Sequence, residues 1–499
     1  MKENLDRELL ALYFKDNSLV QQHIASYNKF VEKGFQEIVS KIGTIQTPIP
    51  GYELKLGEVK LDKPKIVEAD GSTRDIYPIE ARLRNLTYHA RILLEIIPYV
   101  DGVEKSVSYI DTYSYIGDLP VMVKSKLCHL YKLSEDELIN VYEDPRDPGG
   151  YFIINGTERV LVSLEDLASN KIMVSVEANN SVVAKTFSMR FGFKARCAIS
   201  RSEEGIMSIS FPSSPKGILL VTIMRALGLS TNEEIMSYFT PEIVLRNEIA
   251  YNLEQDPATN TQEAIEFLGK KAAPSQPIEY KLKRAETLID QYLLPHIGTE
   301  PHHRLKKAKY LAKMAEKAIL VAHKKIPPDD KDHYSNKRIK LTGDLIEELV
   351  RYSFQYFAKD VAYQASRADV RGRKLSTPQS LIRPDAFSDR IRYSMATGNW
   401  IAGQTGVSQL LDRTSYLSSL SHLRRVISPL SRKHPHFEAR DLHGTHWGKI
   451  CPNESPEGPS CSLVKNMALL ANMSVGEDEV VIEELLKRLN LIEEADQNV

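Results

Sequence analysis

Cysteine is scarce in this sequence. Only four of the 499 residues are cysteines, and no two of them form a CxxC pair. Neither a disulfide framework nor a zinc ribbon is therefore indicated, and this cysteine usage is typical of a reducing compartment. The cysteines are Cys128, Cys197, Cys451 and Cys461.

The sequence also lacks a long apolar segment. The run from Gly217 to Ile223 is far shorter than the roughly 20 residues that a membrane span needs. The first residues, Met1 to Phe14, mix acidic and basic side chains with leucines and contain no apolar core of the signal-peptide type. We therefore expect a cytoplasmic protein.

Neither sign of charge is in excess, because 65 Lys and Arg balance 66 Asp and Glu to a formal net charge of −1. Proteins that coat nucleic acid through general electrostatics normally carry a basic excess over a whole domain. That class of protein is excluded here. Any contact with nucleic acid must be local.

Familiar catalytic signatures are missing too. The sequence contains no GxxxxGK[ST] phosphate loop, no GxGxxG after a strand, no HExxH and no GxSxG. It has no close cluster of aspartates of the kind that holds two magnesium ions for nucleotidyl transfer. We therefore predict no catalytic residue and no bound metal in this chain, and we expect the isolated chain to be inactive.

The length predicts several domains, because 499 residues are too many for one hydrophobic core. The first ~170 residues mix strand and helix patterns. A second unit starts near Leu167 and closes at the Pro327-Pro328 pair. The predicted fold class is α+β, multidomain.

Local patterns predict individual elements. Residues 91–99 read as a strand, Asp101-Gly102 as a hairpin turn, and the alternating run 106–110 as the return strand. Apolar residues at three- and four-residue steps predict helices at 304–325 and 344–364, and residues 382–399 also read as a helix. The second of these helices is expected to bury Ile346, Val350, Phe354, Phe357 and Val361.

The segment from Ser421 to Lys449 is the densest basic region, with six Arg or Lys and five His against only Glu438 and Asp441. Arginine donates two hydrogen bonds to a phosphate, and neighbouring hydroxyls add others. The segment therefore fits contact with a nucleic-acid backbone. Composition leaves the alternative, a solvated loop, equally open.

One metal-like constellation lies in the same region. Two histidines and two cysteines would suit a tetrahedral zinc site, but the cysteines are ten residues apart and prolines stiffen the loop between them. This spacing favours polar turn histidines and partly buried thiols over zinc. The residues concerned are His443, His446, Cys451 and Cys461.

The motifs near the C-terminal end resemble the fork region of the second-largest subunit of cellular RNA polymerases. They are Gly406-Val-Ser-Gln-Leu-Leu-Asp-Arg-Thr-Ser-Tyr416, Ser421-His-Leu-Arg-Arg425 and Arg440-Asp-Leu-His-Gly-Thr-His-Trp-Gly-Lys-Ile-Cys-Pro-Asn-Glu-Ser-Pro-Glu-Gly-Pro459. Upstream segments look like the same family in the same order, among them Glu80–Tyr88, Gly149–Val160, Asp332–Arg338 and Ala396–Trp400. The resemblance covers nearly the entire chain and is closer to the archaeal and eukaryotic branch than to the bacterial one.

The resemblance implies a division into named domains. These are a first part of the protrusion (1–166), a lobe (167–333), a second part of the protrusion (334–385), a fork (386–460) and the start of an external region (461–499). It further implies the N-terminal part of a subunit that some archaea divide into two polypeptides. The expected activity is DNA-directed RNA synthesis, a nucleotidyl transfer from the four NTPs within a multisubunit complex.

The resemblance also implies roles for individual residues. Contacts with the RNA–DNA hybrid are expected from Gln409, His422, Arg424 and Arg425. Arg432 and Lys433 are expected to contact downstream DNA at the fork loop, and Arg440 and Glu457 to support the active centre.

Partners are implied as well. They are the C-terminal part of the subunit, the largest and the small assembly subunits, template and non-template DNA, and nascent RNA. The catalytic Mg²⁺ is expected in the largest subunit, with no cofactor bound by this chain.

Two hypotheses from other classes remain. An independent single-stranded nucleic-acid-binding module predicts aromatic stacking platforms among the basic residues, and the basic segment offers mainly Phe437 and Trp447. A zinc hydrolase built on His443 and His446 predicts stoichiometric zinc in the purified chain.

Overall fold

The computed structural model describes residues 2–104, 113–177, 179–371, 378–476, 479–489 and 491. The chain contains both helices and several separate sheets, which confirms the predicted α+β class. It divides into two compact units. The first unit is Met1–Asp166 together with Ile339–Val499, and the second is Leu167–Arg338. The finer division into protrusion, fork and external region stays a prediction.

The elements have the following bounds. The α-helices are α1 (Lys2–Asp16), α2 (Gln21–Lys29), α3 (Phe35–Ile42), α4 (Pro78–Leu83), α5 (Glu135–Asn140), α6 (Leu220–Ala226), α7 (Asn232–Ser237), α8 (Ile243–Glu254), α9 (Thr261–Ala272), α10 (Ile278–Thr287), α11 (Arg304–Ala322), α12 (Thr342–Val370), α13 (Pro384–Thr397), α14 (Tyr416–Leu423), α15 (Phe437–Arg440) and α16 (Glu479–Arg488). The strands are β1 (Thr44–Gln46), β2 (Tyr52–Leu61), β3 (Lys65–Val67), β4 (Thr73–Asp75), β5 (His89–Val100), β6 (Val103–Glu104), β7 (Tyr113–Pro120), β8 (Phe152–Ile154), β9 (Thr157–Leu161), β10 (Ser163–Leu167), β11 (Met173–Val176), β12 (Val182–Arg190), β13 (Phe193–Arg201), β14 (Met207–Ser210), β15 (Ile218–Leu219), β16 (Lys337–Lys340), β17 (Ser408–Leu410), β18 (Arg425–Ile427) and β19 (Val464–Asn466). Two helical segments, Phe30–Gly34 and Leu288–Tyr292, are π-helical.

The first unit is built around an antiparallel sheet and a long helix. In the sheet, β5 pairs with both β2 and β7, and alternate residues of β5 are buried as a half-buried strand requires. The predicted hairpin turn at Asp101-Gly102 is confirmed, since Val100 pairs with Val103 across it. The predicted return strand at 106–110 lies outside the described residues.

The long helix of the first unit, α12, is longer than the predicted 344–364. It begins where Asp344 accepts the Leu341 N–H at 2.9 Å, and it extends to Val370. The predicted core face is confirmed, and it packs against the sheet and α13. Its buried members include Ile346, Val350, Phe354, Phe357 and Val361.

The second unit packs helices α6 to α11 against the antiparallel sheet β11–β15. Helix α11 confirms the predicted helix at 304–325, although it ends at Ala322. Lys307, which the sequence did not single out, is fully buried in α11 and donates to the carbonyls of Ile289 and Asp290 at 2.9 and 2.7 Å. Those carbonyls belong to the π-helical segment Leu288–Tyr292. Burial lowers the pKa of Lys307 to about 8.

Among the described residues of both units, no helix is both long enough and apolar enough to span a membrane.

Candidate nucleic-acid interface

A cleft of about 610 Å³ opens in the first unit, along the motifs that carry the sequence resemblance. Gln409 on β17, Arg425 on β18 and Arg432 in the turn after β18 line it, together with Glu454 and Glu457 of the proline-rich turn. Both signs of charge therefore meet in one open groove. Four of the eight residues predicted from the sequence line it, because Glu457 joins Gln409, Arg425 and Arg432.

Strand order determines which side chains reach this cleft. Strand β18 lies between β10, its parallel neighbour, and β19, its antiparallel neighbour. Side chains alternate across a strand, so the central residue of β18, Val426, is buried while Arg425 and Ile427 are half-buried and line the cleft. Helix α14 precedes β18 in the chain. Its N-cap is Ser415, whose hydroxyl accepts the Ser418 N–H at 3.1 Å.

His422, near the end of α14, is buried and holds Gln409 in place. Its Nδ1 accepts the backbone N–H of Asp412 at 3.2 Å, so the ring proton is on Nε2. Nε2 then donates to Gln409 Oε1 at 3.0 Å, while Gln409 Nε2 donates to the Gly406 carbonyl at 2.9 Å. Burial, followed by the charge of Arg425, lowers the pKa of His422 to about 4. The imidazole is therefore neutral near pH 7.

Arg424 points away from the cleft and is only 7% exposed. Its guanidinium donates to the carbonyls of Leu19 and Ala468, each at 2.7 Å, and to that of Leu469 at 3.2 Å. Burial lowers the pKa of Arg424 below its usual value. Arg424 thus connects the N-terminal helical region to the segment after β19, and both of its terminal nitrogens already donate to carbonyls.

Arg425 behaves in the opposite way. Within the described part of the chain, its guanidinium has no hydrogen-bonding or ion-pairing partner, and it is half-buried at the cleft. Arg432 and Lys433 are exposed in the turn that follows β18, and their side chains likewise have no such partner among the described residues. Three cations are therefore available near the cleft.

Arg440 connects two turns of the predicted fork. Its Nε donates to the Pro435 carbonyl at 2.6 Å, and its two terminal nitrogens donate to the carbonyls of Cys461 and Pro459 at 2.7 and 2.9 Å. This arrangement fixes the proline-rich turn that carries Glu457. Glu457 itself is exposed and, within the described residues, has no hydrogen-bonding or ion-pairing partner.

Glu454, the other carboxylate of this turn, is held by a hydroxyl. Ser421 donates to Glu454 Oε1 at 2.5 Å and accepts from Asn466 Nδ2 at 3.1 Å. The proline-rich turn is thereby joined to both α14 and β19. These contacts fix the position of Glu454 relative to α14 and β19, the two elements next to Arg425 in the chain and in the sheet.

Sequence reasoning missed a buried ion pair behind the cleft. Glu165 on β10 and Lys465 on β19 flank β18, and Lys465 Nζ lies 2.9 Å from Glu165 Oε2. Both side chains are about 5% exposed or less. The two residues are 300 positions apart, so no local pattern indicates that they meet.

His23 on α2 was also missed, although it fixes the end of α14. Its Nε2 lies 2.6 Å from the Leu423 carbonyl, which only accepts, so Nε2 carries the proton and Nδ1 accepts from the Thr342 hydroxyl at 2.6 Å. Burial is the main cause that lowers the pKa of His23 to about 4. Three distant segments meet at this ring.

The geometry gives the zinc hypothesis no support. His443 Nδ1 lies 2.6 Å from the Thr445 hydroxyl, and the rings of His443 and His446 are 6.2 Å apart between centroids. Over the described ranges, no group of three or more His, Cys, Asp or Glu is placed to hold a metal ion. Phe437 and Trp447, the two aromatic residues of the stacking hypothesis, are 78% and 91% exposed.

Comparisons with known proteins place these motifs in a family. A family model described as "RNA polymerase beta subunit" matches residues 18–388, and one described as "RNA polymerase Rpb2, domain 3" matches residues 409–473. The chain is 48% identical to "DNA-directed RNA polymerase subunit Rpo2N" of Methanococcus vannielii, covering 97% of this chain and 99% of the relative. The protein of the same name from Methanocaldococcus jannaschii gives 48% identity over the same shares. "DNA-directed RNA polymerase subunit Rpo2" of Saccharolobus solfataricus is 46% identical over 97% of this chain but only 43% of its own length.

Proposed function

Because the chain belongs to the RNA polymerase beta-subunit family, as the N-terminal part of the divided second-largest subunit of the archaeal type, we propose that its cleft contacts the RNA–DNA hybrid during transcription. The chain is a subunit of a DNA-directed RNA polymerase, and its part in nucleotidyl transfer is exercised within that multisubunit complex. One observation carries the proposal. The Arg425 guanidinium has no partner among the described residues, and it lines a cleft at which His422 fixes the amide of Gln409.

The chemistry of the cleft supports this assignment. A guanidinium presents a planar fork of donors that matches a phosphate, and it keeps its charge at any physiological pH. Gln409 adds an amide group. Its oxygen accepts from His422 and one of its N–H bonds donates to Gly406, so these two contacts fix the orientation of the second N–H. Such groups hold a sugar–phosphate backbone without reading bases, which is what a polymerase needs for every sequence.

The other predicted hybrid contacts take a different role in our proposal. His422 and Arg424 are 4% and 7% exposed. Both ring nitrogens of His422 and both terminal nitrogens of Arg424 make hydrogen bonds within the first unit. We assign both to positioning: His422 orients Gln409, and Arg424 holds the backbone from which Arg425 projects.

The turn after β18 is proposed to contact downstream DNA. Arg432 and Lys433 are consecutive cations, exposed, with unpaired side chains in the described part of the chain. Phosphate contacts of this kind add affinity without sequence preference and weaken as salt rises. Arg440 is proposed to support the active centre by holding the proline-rich turn, and Glu457 by presenting a carboxylate there.

Catalysis is proposed to need partners. The described residues contain no group of three or more His, Cys, Asp or Glu placed to bind a metal. We propose that the largest subunit holds the catalytic Mg²⁺. Further proposed partners are the C-terminal part of this subunit, the small assembly subunits, template and non-template DNA, and nascent RNA.

The test is Arg425→Ala in a polymerase reconstituted with this chain. If Arg425 contacts a phosphate of the hybrid, elongation complexes should dissociate faster. The slope of the logarithm of their binding constant against the logarithm of salt concentration should also fall by about 1 in magnitude. Arg425→Lys should retain part of the stability, because it keeps the charge without the fork. Arg246→Ala, which removes an exposed arginine of α8, is the matched control and should change neither quantity. Unchanged stability across the salt series for Arg425→Ala would refute the contact.

A further inference from the structure

Helix α12 has a second face that the core does not use. Opposite its buried side, Tyr352, Tyr356, Lys359 and Tyr363 follow one another at steps of four, three and four residues, which places them in a single row along the helix. We call this row the tyrosine stripe. Its three tyrosines are 47%, 47% and 60% exposed, although aromatic side chains of this size are usually covered.

The stripe extends onto α13 through Arg390. The Arg390 guanidinium lies 4.0 Å from the centroid of the Tyr356 ring and 5.2 Å from that of Tyr352. Resting a guanidinium on two rings limits its motion while its N–H donors remain available. Tyrosine and arginine are the residue types most enriched in the centres of protein interfaces.

The charges beside the stripe are predominantly positive. The carboxylate of Asp360 is paired with Arg383, the residue before α13, whose Nε donates to it at 3.0 Å. Asp389 lies 3.6 Å from Arg392. Lys359 and Arg390 have no carboxylate partner among the described residues. A complementary surface must therefore bring acidic side chains next to apolar ones.

The spacing of the stripe residues indicates that the complementary surface is an α-helix. Steps of three and four residues make the seam along which two α-helices pack, and the stripe from Tyr352 to Tyr363 is about 17 Å long at 1.5 Å per residue. Nucleic acid fits less well. Duplex DNA carries one phosphate charge per ~1.7 Å of axis, while the described residues along this length offer two unpaired cations, Lys359 and Arg390. In addition, Arg390 already covers one face of the Tyr356 ring, which base stacking would need.

We propose that the tyrosine stripe is the docking face for an amphipathic α-helix of another subunit of the polymerase. That helix presents apolar side chains at three- and four-residue steps, flanked by Asp or Glu that pair with Lys359 and Arg390. The inference rests on the proposed function, since it takes the partner from the same multisubunit enzyme.

Site-specific crosslinking in the assembled polymerase tests the inference. We expect p-benzoylphenylalanine at Tyr363, or in a second preparation at Tyr356, to crosslink to a helical segment of another subunit that carries Asp or Glu within one turn. Reversing both charges, Lys359→Glu with Arg390→Glu, should lower the crosslink yield several-fold. The same reversal should leave unchanged the yield from a crosslinker placed at Tyr280, an exposed tyrosine of α10.

Each other outcome overturns the inference. A polymerase that transcribes normally but gives no protein crosslink from the stripe removes the docking face and leaves the proposed function standing. Crosslinks to DNA or RNA, to a second copy of this chain, or to a segment without acidic residues do the same. Failure of the chain to assemble into a transcribing polymerase removes both proposals.

Discussion

His422 Nε2 donates to Gln409 Oε1 over 3.0 Å, so a buried neutral imidazole orients an amide at the cleft surface. The two side chains come from α14 and β17, which are separated by a tight turn that closes on the same imidazole through the Asp412 N–H. Local folding of the motif and the chemistry of the cleft are therefore linked by one ring.

Replacing that ring should cost stability as well as function. His422→Phe keeps a planar aromatic ring, somewhat larger than imidazole, but leaves the Asp412 N–H without its acceptor, so we expect the free energy of unfolding to fall by about 1–3 kcal/mol. Gln409→Ala removes the acceptor of the His422 Nε2–H at the half-buried edge of the cleft, where water can replace it, so it should cost less, about 0.5–1.5 kcal/mol. Urea unfolding monitored by circular dichroism measures both. Equal stability of the parent and His422→Phe would contradict the role assigned to His422.

The two buried histidines predict a pH dependence. Burial lowers the pKa values of His23 and His422 to about 4, below the 6.5 of an unfolded histidine. The unfolded chain therefore binds more protons between these values, so stability is fully present above pH 6.5 and is lost as pH falls towards 4. Each histidine contributes at most about 3 kcal/mol to this loss of stability. The urea midpoint of His23→Gln should accordingly fall less between pH 6.5 and 4 than that of the parent chain. An equal fall in the two proteins would contradict the contribution assigned to His23.

The buried ion pair behind the cleft gives a third prediction. Lys465→Met removes a cation that lies 2.9 Å from the buried Glu165 carboxylate, which should cost about 3–5 kcal/mol. The double variant Glu165→Leu, Lys465→Met should recover most of that loss, because an apolar pair of similar size needs no charge compensation. Lys487→Met, which breaks an exposed pair with Glu483, is the control and should cost no more than ~1 kcal/mol. No recovery in the double variant would mean that the pair is not the source of the loss.

Arg440 should keep two turns in place, the one that contains Pro435 and the one that contains Pro459 and Cys461. Arg440→Lys keeps the charge but cannot reach three carbonyls in different directions, so the contacts to Pro435, Pro459 and Cys461 should loosen together. Hydrogen exchange measured by mass spectrometry should then be faster in the peptides that cover 430–462 and unchanged elsewhere in the chain. Unaltered exchange there would show that other contacts hold the turns.

The rival binding-module hypothesis makes a distinct prediction. If the isolated chain were a single-strand-binding protein, Phe437→Ala with Trp447→Ala would remove its stacking platforms and weaken oligonucleotide binding by about 1–3 kcal/mol per base stacked. We expect weak binding of a fluorescent oligonucleotide by the isolated chain and no effect of this double variant. Tight, aromatic-dependent binding measured by anisotropy would favour the rival.

Helix α12 shows what the sequence could predict. Its core face follows from a local period of 3.6 residues, and Phe354, Phe357 and Val361 are buried as expected. The additional residues up to Val370 were missed because apolar spacing fades where the helix is more exposed. Likewise, the fork motifs predicted the family correctly, since a long ordered match carries far more information than composition.

The site itself was only partly predictable. Arg424 and Arg425 are adjacent and chemically identical, yet one is buried against carbonyls and the other lines the cleft, because the end of α14 and the start of β18 turn them apart. The Glu165–Lys465 pair and the His23–Leu423 contact depend on the order of β10, β18 and β19 and on the packing of α2, across 300 and 400 residues. Neither has a local pattern in the sequence.

The most direct test of the central claim is RNA crosslinking in an elongation complex assembled with this chain. A 4-thiouridine placed within the hybrid portion of the transcript reports the protein segment that it touches. If the cleft contacts the hybrid, crosslinks should form in the peptides that span Gln409 to Ile427, and their yield should be lower in Arg425→Ala. Efficient crosslinking to other parts of the polymerase with none in this segment would contradict it.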